Sequence, residues 1–286
     1  MNPAAPQPLP IDVISIQSQV VYGHVGNSAA VPTLQAMGLR VAAVPSVLLS
    51  NTPHYPSLHG GAVPADWFAG YLRDLLARGV VAGARAVMVG FLGDPDQAAM
   101  VADWLDQAMQ ANPRLRVHVD PVIGDFDHGV YTDPRLTQAW RTLLLPRAHG
   151  LTPNHFELER LSGDTLATLD DTLAAATRLL GGRTEWVVVT SAAPQGWPAG
   201  HMHVALVAPT LQRVFRHPHV PCAAKGIGDL FAARLAGRVL GGAPLDAAVE
   251  HACQDVVAVL RDTVRRGWEE LALPLPAPAA PGPPAG

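Results

Sequence analysis

The sequence predicts an α/β domain, with a mainly parallel sheet flanked by helices and a small flap. Three observations carry this reading. Short apolar β-like runs alternate with stretches of helical periodicity along most of the chain, the pattern of consecutive β-α units. With 286 residues, 49% of them hydrophobic, the chain can bury one large core. No internal repeat and no second block of composition interrupts it, so one domain is expected.

In chain order, residues 12–16 read as a buried strand, and the glycine-containing loop 23–27 leads into an apolar helix ending near Met37. Residues 40–45 give a second strand. The polar, proline-broken stretch 50–61 reads as a flap before a helix over 66–78. A strand at 86–89 precedes a helix capped by Asp94, with Pro95 at its first position and an apolar face at Val101, Trp104, Leu105 and Ala108. Residues 117–119 form a short strand ending at Asp120, and the Gly- and Asp-rich run 121–133 reads as an irregular loop. Then come a short helix after Asn154, an amphipathic helix over 170–180 and a strand over 186–190. Two β-like runs, 203–207 and 211–215, precede a loop at 217–228 and two helices over 229–240 and 245–265.

Composition excludes several classes of function. The formal charge is −4 and Lys225 is the sole lysine, so no basic stripe exists to neutralise a nucleic-acid backbone. A bound triphosphate would have to be met by backbone amides at helix starts, a divalent metal and a few arginines. Cys222 and Cys253 fit neither a disulfide scaffold nor a zinc site, which points to a reducing, cytoplasmic setting. Residues 1–10 lack the charged and apolar regions of a signal peptide, and no apolar run is long enough to span a bilayer. Those first ten residues and the Pro/Ala-rich tail 273–286 are expected to be disordered. His201 with His203, and His217 with His219, are spaced to share strand faces, but no third ligand accompanies either pair, so zinc is not expected.

Four groups of residues can carry chemistry. Lys225-Gly226-Ile227-Gly228-Asp229 lies where a loop meets an apolar helix. Amides at such a helix start can hold a phosphoryl group, and Asp229 beside them can take a proton from an attacking alcohol; alternatively, Asp229 merely caps the helix. Asp120, followed by Pro121, sits at the carboxyl end of a strand, where open α/β sheets bind ligands, although Asp-Pro pairs are also common in turns. In Thr152-Pro153-Asn154 with Glu157, a carboxylate on a short helix can carry a Mg²⁺ water shell, or Asn154 and Glu157 can simply form a capping box. Ser18, just past the first strand, can hydrogen-bond a small polar substrate. Gly23 and Gly26 nearby do not complete a dinucleotide fingerprint, which counts against a nicotinamide-dependent oxidoreductase.

Taken together, residues 17–30 (QSQVVYGHVGNSAA), 44–55 (VPSVLLSNTPHY), 119–125 (VDPVIGD), 152–159 (TPNHFELE), 186–191 (WVVVTS) and 225–232 (KGIGDLFA) resemble the motifs of bacterial pyridoxal kinases, in family order. The resemblance spans nearly everything between Ile11 and Pro274 and implies a ribokinase-like kinase domain over residues 11–272. It implies Asp229 as general base, with the amides of Gly226, Ile227 and Gly228 as anion hole. Ser18 and His54 would contact the B6 vitamer. Asp120, Thr152, Thr190, His217, Pro218, His219, Val220, Lys225 and Gly228 would line the ATP site, and Tyr131 and Glu157 would help position Mg²⁺. A homodimer with a closing flap is implied as well. Ile227 stands where many members have threonine; if backbone amides make the hole, activity should survive the change. The stretch 193–201 matches no family motif and is expected to be a variable surface loop.

Two rival readings remain beside B6-vitamer phosphorylation, a hydroxymethylpyrimidine kinase and a non-catalytic vitamer-binding protein. His54 and the SNTPHY run favour the first over the former, and the joint presence of Asp229, Asp120 and Glu157 argues against the latter. A need for a monovalent cation such as K⁺ is left open by the sequence.

Overall fold

The computed structural model describes residues 7–273. In chain order the elements are β1 (Val13–Tyr22), α1 (Asn27–Ala36), β2 (Val41–Asn51), β3 (Gly60–Ala62), α2 (Ala65–Ala77), α3 (Val80–Gly83), β4 (Ala86–Val89), α4 (Pro95–Ala111), β5 (Arg116–Val119), β6 (Gly124–Asp125), β7 (Gly129–Val130), α5 (Arg135–Ala139), β8 (Gly150–Leu151), α6 (His155–Ser162), α7 (Leu169–Arg178), β9 (Trp186–Val189), β10 (His201–Ala208), β11 (Leu211–Pro218), α8 (Ile227–Leu240) and α9 (Leu245–Arg266). Nine strands form one sheet in the order β11-β10-β9-β8-β5-β4-β1-β2-β3, and β6 pairs with β7 in a separate hairpin. The six central strands run parallel, while β10, β11 and β3 are antiparallel additions at the two edges.

Strand alternation divides the apolar side chains between two cores. Ile14, Ile16, Val87, Val89, Val187 and Val189 enter one core with the faces of α2, α4 and α7. Val13 and Met88 turn to the other side against α1 and α8, as do Trp186 and Val188 against α8 and α9. This is the helix-covered sheet that the periodicity predicts, in the three-layer form that the family resemblance implies.

Several boundaries differ from the sequence reading. β1 runs on to Tyr22, so Gln17 and Ser18 lie within the strand instead of beyond it. β2 continues through Pro45 to Asn51, with Pro45 beside the irregularity in its pairing with β1. The expected loop 121–133 contains the β6–β7 hairpin, and the expected loop 217–228 begins with the last two residues of β11 and ends inside α8. The central strand β8, two residues long, was too short to leave a periodic signal, and α5 continues irregularly into residues 140–147 around the fully buried Trp140. The expected disordered ends fall mostly outside the described residues. Within them, residues 7–10 are exposed and irregular, whereas Leu273, which opens the expected tail, packs partly against the core beneath α9.

Candidate active site

Three neighbouring parallel strands each end one residue before a side chain nominated from the sequence: β5 before Asp120, β8 before Thr152 and β9 before Thr190. Their amides donate to the carbonyls of Val89 (2.8 Å), Val119 (3.0 Å) and Pro153 (3.0 Å), so the sheet ladder itself sets the row. The row lies at the carboxyl edge of the sheet, the ligand side of open α/β folds.

The start of α8 faces that row. A Cβ on Gly228 would lie 3.9 Å from Asp120 Oδ2, and a Cβ on Gly226 would meet the His24 carbonyl oxygen at 1.8 Å. Only glycine permits this approach, and Gly226 also has φ 84°, in the left-handed region. Gly226 occupies the cap position of α8, with no side-chain cap, and the first internal hydrogen bond runs from the Leu230 amide to the Gly226 carbonyl at 2.9 Å. The amides of Ile227, Gly228 and Asp229 therefore have no intrahelical acceptor and present the positive end of α8 to an anion. Asp229 does not cap the helix: it sits in the first turn, and its carboxylate accepts from the Gly26 amide.

Asp229, Asp120 and Glu157 form a cluster of carboxyl groups in which proton affinity is raised. Desolvation lifts Asp229, opposed by the Gly26 amide. Desolvation, then the charges of Glu157 and Asp229, lift Asp120 well above the carboxylate range, opposed by a hydrogen bond from Thr152. Burial raises Glu157 to about 7 against the pull of the Asn154, Ile123 and Gly124 amides. Like charges this close do not all ionise together without a counter-cation. Lys225 forms no ion pair with the described residues, which leaves its charge available to a phosphate.

The local chemistry of Glu157 combines both sequence readings. Its oxygens accept from the amides of Asn154 (2.8 Å) and Ile123 (2.9 Å), and Asn154 Oδ1 accepts from the Glu157 amide at 2.8 Å, so the capping box is present. With both oxygens engaged, Glu157 would reach a cation through water. Tyr131 exposes half its surface, yet its hydroxyl end is desolvated and faces Glu157, Asp125, Asp229 and Asp120, all of which push its titration upward. Among the described residues no group of three or more His, Cys, Asp or Glu side chains is arranged to hold a metal ion unaided. The oxygen-only donor set and unneutralised carboxylates do fit a hydrated Mg²⁺ completed by phosphate oxygens.

On the flap side, Ser18 is buried beneath Gly26, whose Cβ would lie 2.5 Å from Ser18 Oγ. His54 is exposed, and its ring lies 4.1 Å from that of Tyr55 in a tilted arrangement. Farther along the sheet, His217 and Pro218 end β11, and the His217 ring contacts the Pro218 carbonyl at 3.0 Å. His219 lies 6.0 Å from Trp197, and Val220 packs partly under α8 and α9.

The phosphomethylpyrimidine kinase family profile matches residues 23–273. A pyridoxine/pyridoxal/pyridoxamine kinase of Bordetella bronchiseptica is 56% identical over 272 residues, covering 95% of this chain and 96% of the relative. This chain belongs to the pyridoxal kinases of that family. Among solved structures, a pyridoxal kinase from Leishmania donovani in complex with ADP and pyridoxamine superposes with a TM-score of 0.82 at 29% identity, covering 90% of this chain and 88% of that one. A pyridoxal kinase from Entamoeba histolytica shares the fold, with a TM-score of 0.85 at 22% identity over 92% of this chain and 93% of that one.

In this pyridoxal kinase family member, two acidic residues near the site escaped the sequence reading. Asp125, at the β6–β7 turn, bonds His128 at 2.8 Å and adds its charge to Glu157 and Tyr131. It sat in plain view in the VIGD run. Glu270, buried beside the flap root and the loop after β1, left no signal, because its partners Thr52 and His24 lie more than 200 residues away in sequence.

Proposed function

We propose that the chain transfers the γ-phosphoryl group of ATP to the 5′-hydroxymethyl group of pyridoxal, pyridoxine and pyridoxamine, salvaging vitamin B6 as pyridoxal 5′-phosphate. The observation that carries the mechanism is the pairing of a desolvated Asp229 carboxylate with the uncapped amides at the start of α8. A carboxylate of raised proton affinity is suited to take the hydroxyl proton as the vitamer oxygen bonds to phosphorus and the bond to the ADP oxygen breaks. The amides of Ile227, Gly228 and Asp229, opened by Gly226, receive the equatorial oxygens of the transferring group. Since the hole is backbone, Ile227 in place of threonine leaves it intact.

Ser18 contacts the pyridine ring side of the vitamer, and His54, on the flap, reaches its other substituents. Asp120, Thr152, Thr190, Lys225 and the segment His217, Pro218, His219 and Val220 line the nucleotide side. Glu157, through water, Tyr131 and Asp120 would hold Mg²⁺, which when bound neutralises phosphate charge. A monovalent cation such as K⁺ is a further candidate. Closure of residues 52–59 over the vitamer would exclude water and limit wasteful ATP hydrolysis.

The same reading takes residues 11–272 as one kinase domain, active in the cytoplasm, consistent with two free cysteines, Cys222 and Cys253. Among the described residues no helix is long and apolar enough to cross a membrane. A homodimer is supported by the apolar side chains of Val21 and Leu48, exposed on one face of the adjacent strands β1 and β2.

The test is a coupled assay with Mg²⁺-ATP and each vitamer, with hydroxymethylpyrimidine alongside and products verified by mass. Turnover of the vitamers is expected. A much higher kcat/KM for hydroxymethylpyrimidine would favour that rival, and vitamer binding without ATP-dependent product would favour a binding protein.

A further inference from the structure

The loop Gly23–Gly26 lies against Gly226 and Asp229 at the start of α8, and a single buried side chain from the C-terminal segment holds its outer end. Glu270 is 7% exposed. Its Oε2 accepts from the His24 amide at 3.0 Å and its Oε1 from the Thr52 hydroxyl at 2.5 Å, so one carboxylate joins the loop to the root of the flap. The fit leaves no room for another side chain, since a Cβ on Gly23 would meet Glu270 Oε1 at 2.6 Å. Tyr55 places its ring beside His54 and its hydroxyl near the same carboxylate, whose charge, after desolvation, pushes the phenol upward. Glu270 is itself held firmly: Leu271 is fully buried beneath α9, and the Ala272 amide donates to Thr263 Oγ1 at 2.9 Å.

From His24 the contacts run directly to the reacting groups. Its carbonyl oxygen is the atom against which Gly226 closes, and two residues on, the Gly26 amide donates to the Asp229 carboxylate. Thr52 lies two residues before His54. A buried carboxylate would cost stability unless its hydrogen bonds were satisfied, and here the donors come from the two segments that must stay in register for transfer. We infer that Glu270 is a positioning residue that registers the flap against the loop Gly23–Gly26, and through that loop sets the anion hole and Asp229.

The inference rests on the B6 kinase reading, and its test separates the two. Glu270→Gln keeps size but turns an N–H donor toward one of two donors. Hydrogen exchange should quicken together at the amides of His24, Thr52 and Tyr55, by about tenfold. KM for pyridoxal should rise and kcat fall, each by about tenfold, while KM for ATP stays within about twofold. A folded Glu270→Gln protein with parental exchange and parental vitamer constants would overturn the inference, as would a lowered melting temperature with unchanged kinetics. If Glu270→Gln does not fold, Thr52→Val should shift the vitamer constants in the same direction and Thr52→Ser restore them; parental kinetics in Thr52→Val would overturn it equally. Should the parent chain phosphorylate no vitamer, the functional reading fails, and the exchange measurement still decides the role of Glu270.

Discussion

The proposed nucleotide side of the site and the proposed vitamer side are built from different material. Asp120, Thr152 and Thr190 follow directly on the ends of adjacent central strands, and Asp229 stands in the first turn of α8, so their positions are inherited from the sheet and one helix. The proposed vitamer side, with Ser18 and His54, is bordered by the loop Gly23–Gly26, the flap root at Thr52 and the C-terminal Glu270, joined by hydrogen bonds between segments distant in sequence. The first wall stores unneutralised negative charge on a rigid frame. The second stores register between movable parts. The difference teaches that damage to the first should appear in the chemical step with the fold retained, and damage to the second in vitamer binding and flap order.

The largest effect that would sharpen this contrast is expected at Asp229. Asp229→Ala should lower kcat by about a thousandfold, with KM for ATP little changed, because the base acts only in the chemical step. Near-normal turnover in that variant would remove Asp229 from the mechanism.

Gly226→Ala should be next, and it strikes both walls at once. The residue has φ 84°, and its Cβ would drive into the His24 carbonyl oxygen at 1.8 Å. A loss of at least about 2 kcal/mol in chemical denaturation is expected, with a fall in kcat beyond what the unfolded fraction explains. Parental stability would mean that the loop and the anion hole are not packed as described.

Glu157 provides a test in pH. Burial raises its carboxyl to about 7, so the native state retains a proton that the unfolded chain releases near the ordinary glutamate value. In metal-free protein this contribution to stability is fully present below about pH 4.5 and is lost as pH rises through about 7. Denaturation midpoints of Glu157→Gln, compared with the parent from about pH 5 to pH 8, should lack that decline. Other groups contribute to the profile as well, His118 among them, since burial lowers it to about 4. The difference between the two proteins isolates Glu157, and identical slopes would show that its carboxyl titrates as if exposed.

The smallest effects belong to exposed or backbone-replaceable groups. His54→Ala should raise the vitamer KM about threefold with no change in melting temperature, since the ring is exposed and touches Tyr55. Ile227→Thr should leave kcat within about threefold, because the proposed phosphate donors at this position are amides. A large gain from the threonine would reassign part of the anion hole to a hydroxyl.

Much of this molecule was legible from the chain. The alternation of apolar runs marked most of the central strands and the long helices, and Asp94 with Pro95 signalled the start of α4, where the Asp94 side chain accepts from Gln97. The glycines around Ile227 marked a helix start whose amides can hold an anion. Less visible were strands extended by their neighbours, such as β1 past Ser18 and β2 through Pro45, and the two-residue β8, whose existence depends on β5 and β9 lying alongside. Propensity is a local quantity, and these lengths are decided by pairing.

The sequence by itself determined the α/β class, the family and the residue types able to carry phosphoryl transfer, because periodicity and short motifs are local in the chain. Only the tertiary structure decided which of those groups share a space: that Gly228 faces Asp120, that Gly26 donates to Asp229, and that Glu270 binds both Thr52 and His24. Proton affinities of buried carboxyls and the register between loop and flap depend on desolvation and contact across the fold, and neither is encoded in the spacing of residues along a strand or helix.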